Sequence, residues 1–286
     1  MVLVNSEQLR PQSISPIYPP YHQGDYLEEY FYRRWNEENI KLDREYIDIF
    51  WTNIFCNAAF AGTSSPDLQS ILNQSCVSSG KYFTVCQFDD GPFEDFPKDT
   101  VIFSAGGNRE GPEIVPIPLI CSPIPSSYIQ PKDKTIFASF IGSRTHFIRN
   151  DMCKYLRDKS EYILDSGSWT PNVQMSDFEK FANITSSSKF GLAPRGYGRS
   201  SFRLYEIMQL GAVPVYISDI FYLPWCDELD WNDFCVLVDE DNLKDIDSIL
   251  KSISDSDYQK LLDNGKKVYN EYFTLEGMFQ NIVKRI

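Results

Sequence analysis

Histidine is scarce in this chain: its 286 residues include two, His22 and His146. Two imidazoles disfavour both a histidine-rich metal site and a histidine general base. The seven cysteines are odd in number and form no CxxC pair, so they are expected to be reduced thiols within the core. The sequence therefore gives no reason to expect a metal site.

Long apolar runs and excess positive charge are also missing. No run approaches the roughly 20 apolar residues that a membrane-spanning helix needs, and the first residues, MVLVNSEQLRPQ, are too polar for a secretory signal. Lysine and arginine number 27 against 40 aspartate and glutamate, which gives a net charge of −13. Nucleic acid and anionic membranes are thus disfavoured as partners, and so is a polyanionic acceptor. The expected location is cytoplasmic or otherwise soluble intracellular.

The segment 189–224 carries the clearest structural pattern. A short apolar strand, 190–193, is followed by a glycine-rich loop, 195–201, a helix, 202–210, and a buried strand, 213–217. This order predicts a parallel strand–helix–strand unit of an α/β fold, in which ligands bind beyond the carboxyl ends of the strands.

The loop and the helix of this unit carry side chains suited to a nucleotide diphosphate. The free N–H groups at the start of the helix attract an anion, arginines donate to phosphate, and a carboxylate one turn along the helix can accept from a ribose. The alternative is a simple glycine turn followed by an exposed helical salt bridge between Arg203 and Glu206. The candidate donor-binding residues here are Arg195, Gly196, Ser200, Ser201, Arg203 and Glu206.

These residues resemble the signature of the exostosin-like glycosyltransferases. The matching residues are FGLAPRG at 190–196, Ser200-Ser201, Arg203, Glu206, GAVPVYISD at 211–219 and Leu223-Pro224. The resemblance implies an inverting enzyme of the GT-B type, with two Rossmann-like domains whose parallel sheets face a central cleft. It also implies a UDP-sugar as co-substrate and no metal ion. The apparent lack of a membrane anchor differs from many relatives and fits a virus-encoded or microbial soluble member.

Proline residues at 123, 125 and 131 predict a linker between the two domains. Residues 1–130 are then the acceptor-side domain, and residues 131–274 the nucleotide-sugar donor domain. The tail, 275–286, is predicted to pack back on the first domain.

A second basic turn supports the donor domain. An apolar strand, 135–141, precedes the turn 142–145 and a helix from about His146. Family members carry a similar FxGxxR turn, so Arg144 and Arg149 are candidate donor-binding residues that would stabilise the leaving diphosphate. For Arg149 the alternative is a solvated helix face.

Asp90 and Asp89 are the candidate catalytic residues. Inverting transfer needs a base for the proton of the acceptor hydroxyl, and these carboxylates follow a predicted strand, 82–87. The alternative is an Asx turn that leaves the strand. No GxDH-type motif is present to identify the base by family resemblance. Competing carboxylates are Asp25, Glu28, Glu29 and Asp95.

A weaker acceptor site is predicted near the start of the chain, where His22, Asp25 and Glu28 accompany an aromatic helical pattern at 26–35. The alternative for these aromatic rings is core packing. The predicted function is inverting transfer from a UDP-sugar to a glycan hydroxyl, with a neutral glycan as partner and the sugar unidentified. A catalytically silent glycosyltransferase-like partner, a glycan-binding module and a retaining transferase stay open as alternatives.

Overall fold

The computed structural model describes Leu9 and residues 26–38, 40–120, 123–130, 132–170 and 173–286. His22 and Asp25 of the predicted acceptor site lie outside the described residues. The chain divides into two compact units, one of Met1–Ser122 with Leu275–Ile286 and one of Pro123–Thr274.

The first unit contains a four-stranded sheet in the order β1-β2-β3-β4, and every pairing is parallel. Its elements are α1 (Leu27–Glu38), β1 (Glu45–Tyr46), α2 (Trp51–Cys56, continued by a π-helical turn at Asn57–Ala61), α3 (Leu68–Ser75), β2 (Lys81–Cys86), β3 (Asp99–Ser104) and β4 (Ile114–Pro116). Strand β2 is buried from Tyr82 to Cys86, as expected for a parallel strand covered on both faces.

Aromatic rings form much of the core beside β2. Phe83 stacks on Tyr46 at 5.0 Å between ring centroids and meets the edge of Trp35 at 5.1 Å. Phe31, on the same face of α1 as Trp35, lies 5.9 Å from Phe83 between ring centroids. The aromatic helical pattern at 26–35 therefore forms core, which was the alternative to a sugar-binding role.

The second unit contains a five-stranded sheet in the order β6-β5-β7-β8-β9, again parallel throughout. Its elements are β5 (Ile136–Ser143), α4 (Phe147–Leu156), β6 (Tyr162–Gly167), α5 (Met175–Ser186), β7 (Ser188–Pro194), α6 (Phe202–Gln209), β8 (Val213–Ser218), β9 (Val236–Asp239), α7 (Ile246–Ser252) and α8 (Asp255–Tyr272). The predicted strand–helix–strand unit is confirmed as β7, α6 and β8. Two parallel sheets also confirm the α/β class, whereas the cleft between domains stays a prediction.

Residues 123–130 belong with the second unit, although the predicted division falls between residues 130 and 131. Ile124 donates its backbone N–H to Gln209 Oε1 at 2.8 Å, and the ring of Tyr128 meets Phe178 of α5 at 5.1 Å. These contacts explain why the boundary lies before the prolines of the predicted linker.

The last helix, α9 (Leu275–Arg285), belongs to the first unit and packs against α1. Buried Phe279 lies 5.1 Å from Phe31, and Glu276 pairs with Arg34 at 3.1 Å. Tyr30 donates to the same carboxylate at 2.8 Å. Among the described residues, no helix has the length and apolar character that crossing a membrane requires.

Candidate functional site

Residues of β8, and Asp219 directly after β8, hold the loop that follows β7 in place. Arg195 pairs with Asp219, Nη1 to Oδ1 at 2.7 Å, and its backbone N–H donates to Ile217 O at 2.9 Å. Further along, buried Tyr216 donates its hydroxyl to Arg199 O at 2.6 Å. Both ends of the loop are thereby tied to β8, which gives it a defined shape before any ligand binds.

Arg195 keeps donor capacity despite this pairing. Its Nη2 donates to Tyr197 O at 2.8 Å and its Nε to Gly196 O at 3.3 Å. A guanidinium has five N–H donors, and in the part of the chain that the structure describes, these bonds and the one to Asp219 engage three of them. The other two can donate to a phosphate.

Asp219 was quoted in the sequence signature but was not predicted as a site residue. Burial alone would raise the pKa of its carboxyl, but the hydrogen bond and charge of Arg195, with backbone N–H groups, outweigh burial and lower it. Its place directly after β8, level with the loop after β7, was the signal that could have identified it.

Arg149 lies beneath the loop and supports the backbone. Its guanidinium donates to three carbonyl oxygens, of Ser143 at 2.7 Å, Arg195 at 2.9 Å and Pro194 at 3.1 Å. A Cβ on Gly196 would lie 3.1 Å from Arg149 Nη2, so the glycine permits this close approach. Arg149 therefore connects the ends of β5 and β7. The alternative considered from the sequence, a side chain on a solvated helix face, is wrong.

Arg144, in contrast, is exposed. Its backbone N–H donates to Gly167 O at 2.9 Å, and its Nε donates to Ser166 Oγ at 2.9 Å. The side chain thus lies at the carboxyl ends of β5 and β6, where a ligand can reach its terminal nitrogens.

His146 begins α4 at the same edge of the sheet. Its Nδ1 accepts from the N–H of Ile148 at 3.5 Å, which places the ring at the helix N-terminus. Burial lowers the pKa of His146, the charges of Arg195 and Arg149 lower it further, and Asp219 opposes them. A neutral imidazole is therefore favoured there.

The two serines before α6 are both buried, and the Ser200 hydroxyl has no hydrogen-bond partner among the described residues. A buried hydroxyl without a partner costs stability, so this oxygen is a group that a ligand would satisfy. Ser201 occupies the N-cap position of α6 without a side-chain cap bond.

Arg203 and Glu206 pair at 2.7 Å between Nη1 and Oε2. The salt bridge considered from the sequence is therefore present, but Glu206 is 3 % exposed, so it is not a surface pair. Arg203 also lies over the ring of Phe181, at 3.7 Å from its centroid.

In the first unit, Asp89 and Asp90 lie in the turn after β2. Asn108 fixes this turn, because its side chain donates to Asp90 Oδ1 at 2.9 Å and its backbone N–H donates to Asp89 O at 3.0 Å. Gly106 packs so closely that a Cβ there would lie 2.2 Å from Asp89 Cα. Gly106 thus allows the backbone after β3 to pack against the backbone of the turn that carries the two carboxylates.

Glu28 occupies a different environment from the one that an acceptor site requires. Its carboxyl is buried, and Oε1 accepts from Thr52 N at 3.0 Å, Thr52 Oγ1 at 2.6 Å and Gln87 N at 3.2 Å. Burial raises its pKa, although these bonds act in the opposite direction. In this position Glu28 joins α1 to the start of α2 and to the end of β2.

Within the described ranges, no three His, Cys, Asp or Glu side chains are grouped so that they could hold a metal ion.

Residues 60–253 match the model of the Exostosin GT47 domain, which is more than half of the chain. The chain belongs to this family. It is 31% identical to the Exostosin-1 homolog of Caenorhabditis elegans over 134 residues, which are 47% of this chain and 35% of that protein. It is 41% identical over 109 residues to a protein of Oryza sativa subsp. japonica named probable glucuronosyltransferase, across 37% of this chain and 24% of the relative.

The chain thus spans about a third or less of the length of these family relatives. Among solved structures, one similar to the chain is WaaG, a glycosyltransferase involved in lipopolysaccharide biosynthesis. The TM-score is 0.40 and the identity 11%, with 82% of this chain and 84% of that chain covered.

Proposed function

We propose that this GT47 chain is an inverting glycosyltransferase that moves a sugar from a UDP-sugar to a glycan hydroxyl without a metal ion. The observation that carries the proposal is the set of anion-binding groups at the carboxyl edge of β5, β7 and β8. That edge holds exposed Arg144, together with two N–H donors of Arg195 and the hydroxyl of Ser200 that have no partner within the described residues. The names of the family relatives, which include a probable glucuronosyltransferase, support sugar transfer.

The donor would bind through its diphosphate and its ribose. Arg144, Arg195 and Ser200 supply charge and hydrogen bonds to the phosphate oxygens, while Arg149 keeps the loop in place. Glu206 is the candidate partner of the ribose hydroxyls, with Arg203 orienting its carboxylate. The backbone N–H groups that start α6 add a favourable field for the anion.

The chemical step is a displacement at the anomeric carbon. The acceptor oxygen forms the new glycosidic bond as the bond to the UDP oxygen breaks, and the acceptor proton passes to a carboxylate base. Asp89 and Asp90 are the proposed bases. UDP leaves with the bonding electron pair, and the arginines stabilise the negative charge that develops on it.

The proposed acceptor is a neutral glycan, because a chain with net charge −13 repels polyanions. Nucleic acid is not proposed as a partner for the same reason. A cytoplasmic or otherwise soluble intracellular location stays a prediction, which fractionation of the native protein would test.

A thermal-shift panel with UDP, GDP, ADP and CMP, each with and without a divalent-metal chelator, tests the donor site. Ligand at about 100 times its dissociation constant adds about 2.7 kcal/mol to stability. We expect UDP alone to raise the melting temperature, equally with and without chelator. No shift with any nucleotide would contradict the donor assignment, and a shift that the chelator abolishes would contradict metal independence.

Product analysis tests the chemistry. Incubation of UDP-xylose, UDP-galactose, UDP-glucuronic acid and UDP-N-acetylglucosamine, each with a neutral glycan as acceptor, should release UDP from one donor and transfer its sugar to the glycan. NMR of the glycosylated product should show an inverted anomeric centre. Retention would establish a retaining transferase. If UDP binds but none of these donors is consumed with any glycan, the silent partner or glycan-binding module is favoured.

A further inference from the structure

Phe93 is an exposed aromatic side chain on a backbone that is held on both sides. Its side chain and backbone together are 64% exposed. Arg109 Nη1 donates to the carbonyl oxygens of Pro92 and Glu94, the residues that flank it. Beyond them, Asp95 N donates to Gln69 Oε1 at 2.8 Å, and Gln69 returns a bond to Asp95 O at 3.1 Å. A large apolar ring is therefore presented to solvent from a fixed loop.

Two further phenylalanines extend this apolar surface. Phe93 lies 5.0 Å from Phe55 and 6.2 Å from Phe88, and the latter two rings are 5.1 Å apart. Both Phe55 and Phe88 are half-buried, so they support Phe93 from below. We call these three rings the aromatic platform. Phe88 directly precedes Asp89, so the platform adjoins the candidate base.

The carboxylates near the platform favour a neutral ligand over an anionic one. Residues 89–95 include the carboxylates of Asp89, Asp90 and Asp95, while the carboxyl of Glu94 is half-buried and burial raises its pKa. Arg109 contacts this segment, but its guanidinium donates to the two backbone carbonyls and pairs with Glu113 at 3.5 Å. A sulfated or carboxylated glycan would be repelled, whereas neutral hydroxyls can donate to the carboxylates.

We propose that the aromatic platform of Phe55, Phe88 and Phe93 binds a neutral saccharide and presents its hydroxyl to Asp89 or Asp90. A pyranose has one face of C–H groups that packs on an aromatic ring, and its rim of hydroxyls suits adjacent carboxylates. Because the loop is already ordered, binding costs little further conformational entropy. This inference rests on the proposed function and specifies the acceptor class at the same site.

Saturation-transfer NMR and calorimetry with cellotetraose and xylotetraose, two neutral probes, test the platform, with a chondroitin sulfate tetrasaccharide as the charged comparison. At least one neutral probe should bind wild-type protein in preference to the charged one. Phe93→Ala should weaken that binding by about tenfold, since loss of one aromatic contact removes a large share of a small interface. Phe93→Trp should retain it.

Val77→Ala is the matched control. Val77 is also 64% exposed in the same unit, but it precedes β2, whereas Phe88 follows it, so it lies toward the opposite end of the strand. This variant should bind the neutral probe as wild type does. The UDP-induced thermal shift should be unchanged in all three variants, because Phe93 and Val77 lie outside the unit with the donor residues.

The proposal is overturned if neither neutral probe binds wild type, if the sulfated probe binds best, or if Phe93→Ala and wild type bind equally. Loss of binding in Phe93→Trp as well would also contradict stacking. If UDP gives no shift while neutral binding depends on Phe93, the donor assignment fails and the platform stands.

Discussion

Arg195 and Asp219 follow adjacent strands, β7 and β8, and their side chains meet at 2.7 Å between Nη1 and Oδ1. The pair fixes the guanidinium of a signature residue at the carboxyl edge of β7 and β8, where we propose that the donor diphosphate binds. Hydrogen bonds to other described residues leave two N–H donors of Arg195 unengaged. We therefore propose that Asp219 acts through Arg195 as a positioning residue.

Asp219→Asn should weaken UDP binding and lower stability by about 1 kcal/mol at pH 7. The folded pKa of Asp219 is lowered, so its contribution is present above the unfolded-state value of about 4 and is lost as pH falls through the folded value. Urea unfolding from pH 7 to pH 3 should show the gap to wild type closing in acid. Asp239→Asn, at the end of β9 beside Ser218, is the control that should leave UDP binding unchanged. A gap that is constant with pH would contradict the ion-pair explanation.

Alanine variants of Arg144 and Arg149 should have different effects, one on UDP binding and the other on the free energy of unfolding. Arg149→Ala removes hydrogen bonds to three carbonyls and should cost about 2–4 kcal/mol in urea unfolding. Arg144→Ala, at an exposed site, should change stability by less than about 0.5 kcal/mol but weaken UDP binding by about tenfold. The reverse pattern would show that Arg149 is the ligand-binding residue.

The strand–loop–helix–strand unit could be predicted because its information is local: apolar strands, glycines and a helix within thirty-odd residues. The sequence could not show which arginine supports the loop backbone and which one faces solvent. Arg149 reaches carbonyls of residues 194 and 195 through tertiary packing, and no spacing in the sequence encodes that approach. The prediction of Glu28 as an acceptor-binding residue differs from the structure for a similar reason. Thr52 and Gln87, which are distant in sequence, donate hydrogen bonds to its buried carboxyl, and no local pattern in the sequence indicates those contacts.

Gly106→Ala should reduce transfer activity by disturbing the Asp89 turn. The added Cβ would lie 2.2 Å from Asp89 Cα and 2.6 Å from Phe88 O, so the backbone must move. We expect a loss of about 1–3 kcal/mol in stability together with a lower kcat. Gly265→Ala, within α8, is the control, because its Cβ would make only ordinary contacts, 3.7 Å from Phe234 O and 3.8 Å from Phe234 Cβ. Unchanged kcat in Gly106→Ala would argue against a catalytic role for this turn.

Phe279→Ala tests whether α9 completes the first unit. Phe279 is fully buried, packs on Phe31 at 5.1 Å and lies under Arg34 at 5.3 Å. Its truncation should cost about 3–5 kcal/mol, measured by urea unfolding. Gln280→Ala, at the exposed neighbouring position, should change stability by less than about 0.5 kcal/mol. Equal stability of both variants would show that α9 contributes little.

Glu28 should respond to pH in the opposite direction from Asp219. Burial raises its folded pKa above the unfolded-state value of about 4.3, so the folded state binds the proton more tightly. Wild-type stability from this residue is therefore highest in acid and is lost as pH rises from that unfolded value through the folded pKa. As pH falls through the acid range, the contribution of Asp219 to the free energy of unfolding decreases, whereas that of Glu28 increases.

Glu28→Gln isolates that charge. The amide oxygen can accept the three bonds that Oε1 accepts, from Thr52 and Gln87, and no ionisation occurs at any pH. The amide NH2 group takes the place of Oε2, which is buried without a partner among the described residues, so the variant carries a cost that does not change with pH. In urea unfolding, the stability of the variant relative to wild type should rise as pH rises from 4.5 to 8. Glu28→Ala should instead lose about 2–4 kcal/mol at both pH values, since it leaves buried donors unpaired. If the stability of Glu28→Gln relative to wild type instead falls between pH 4.5 and pH 8, the hydrogen bonds stabilise the ionised carboxylate more than burial destabilises it.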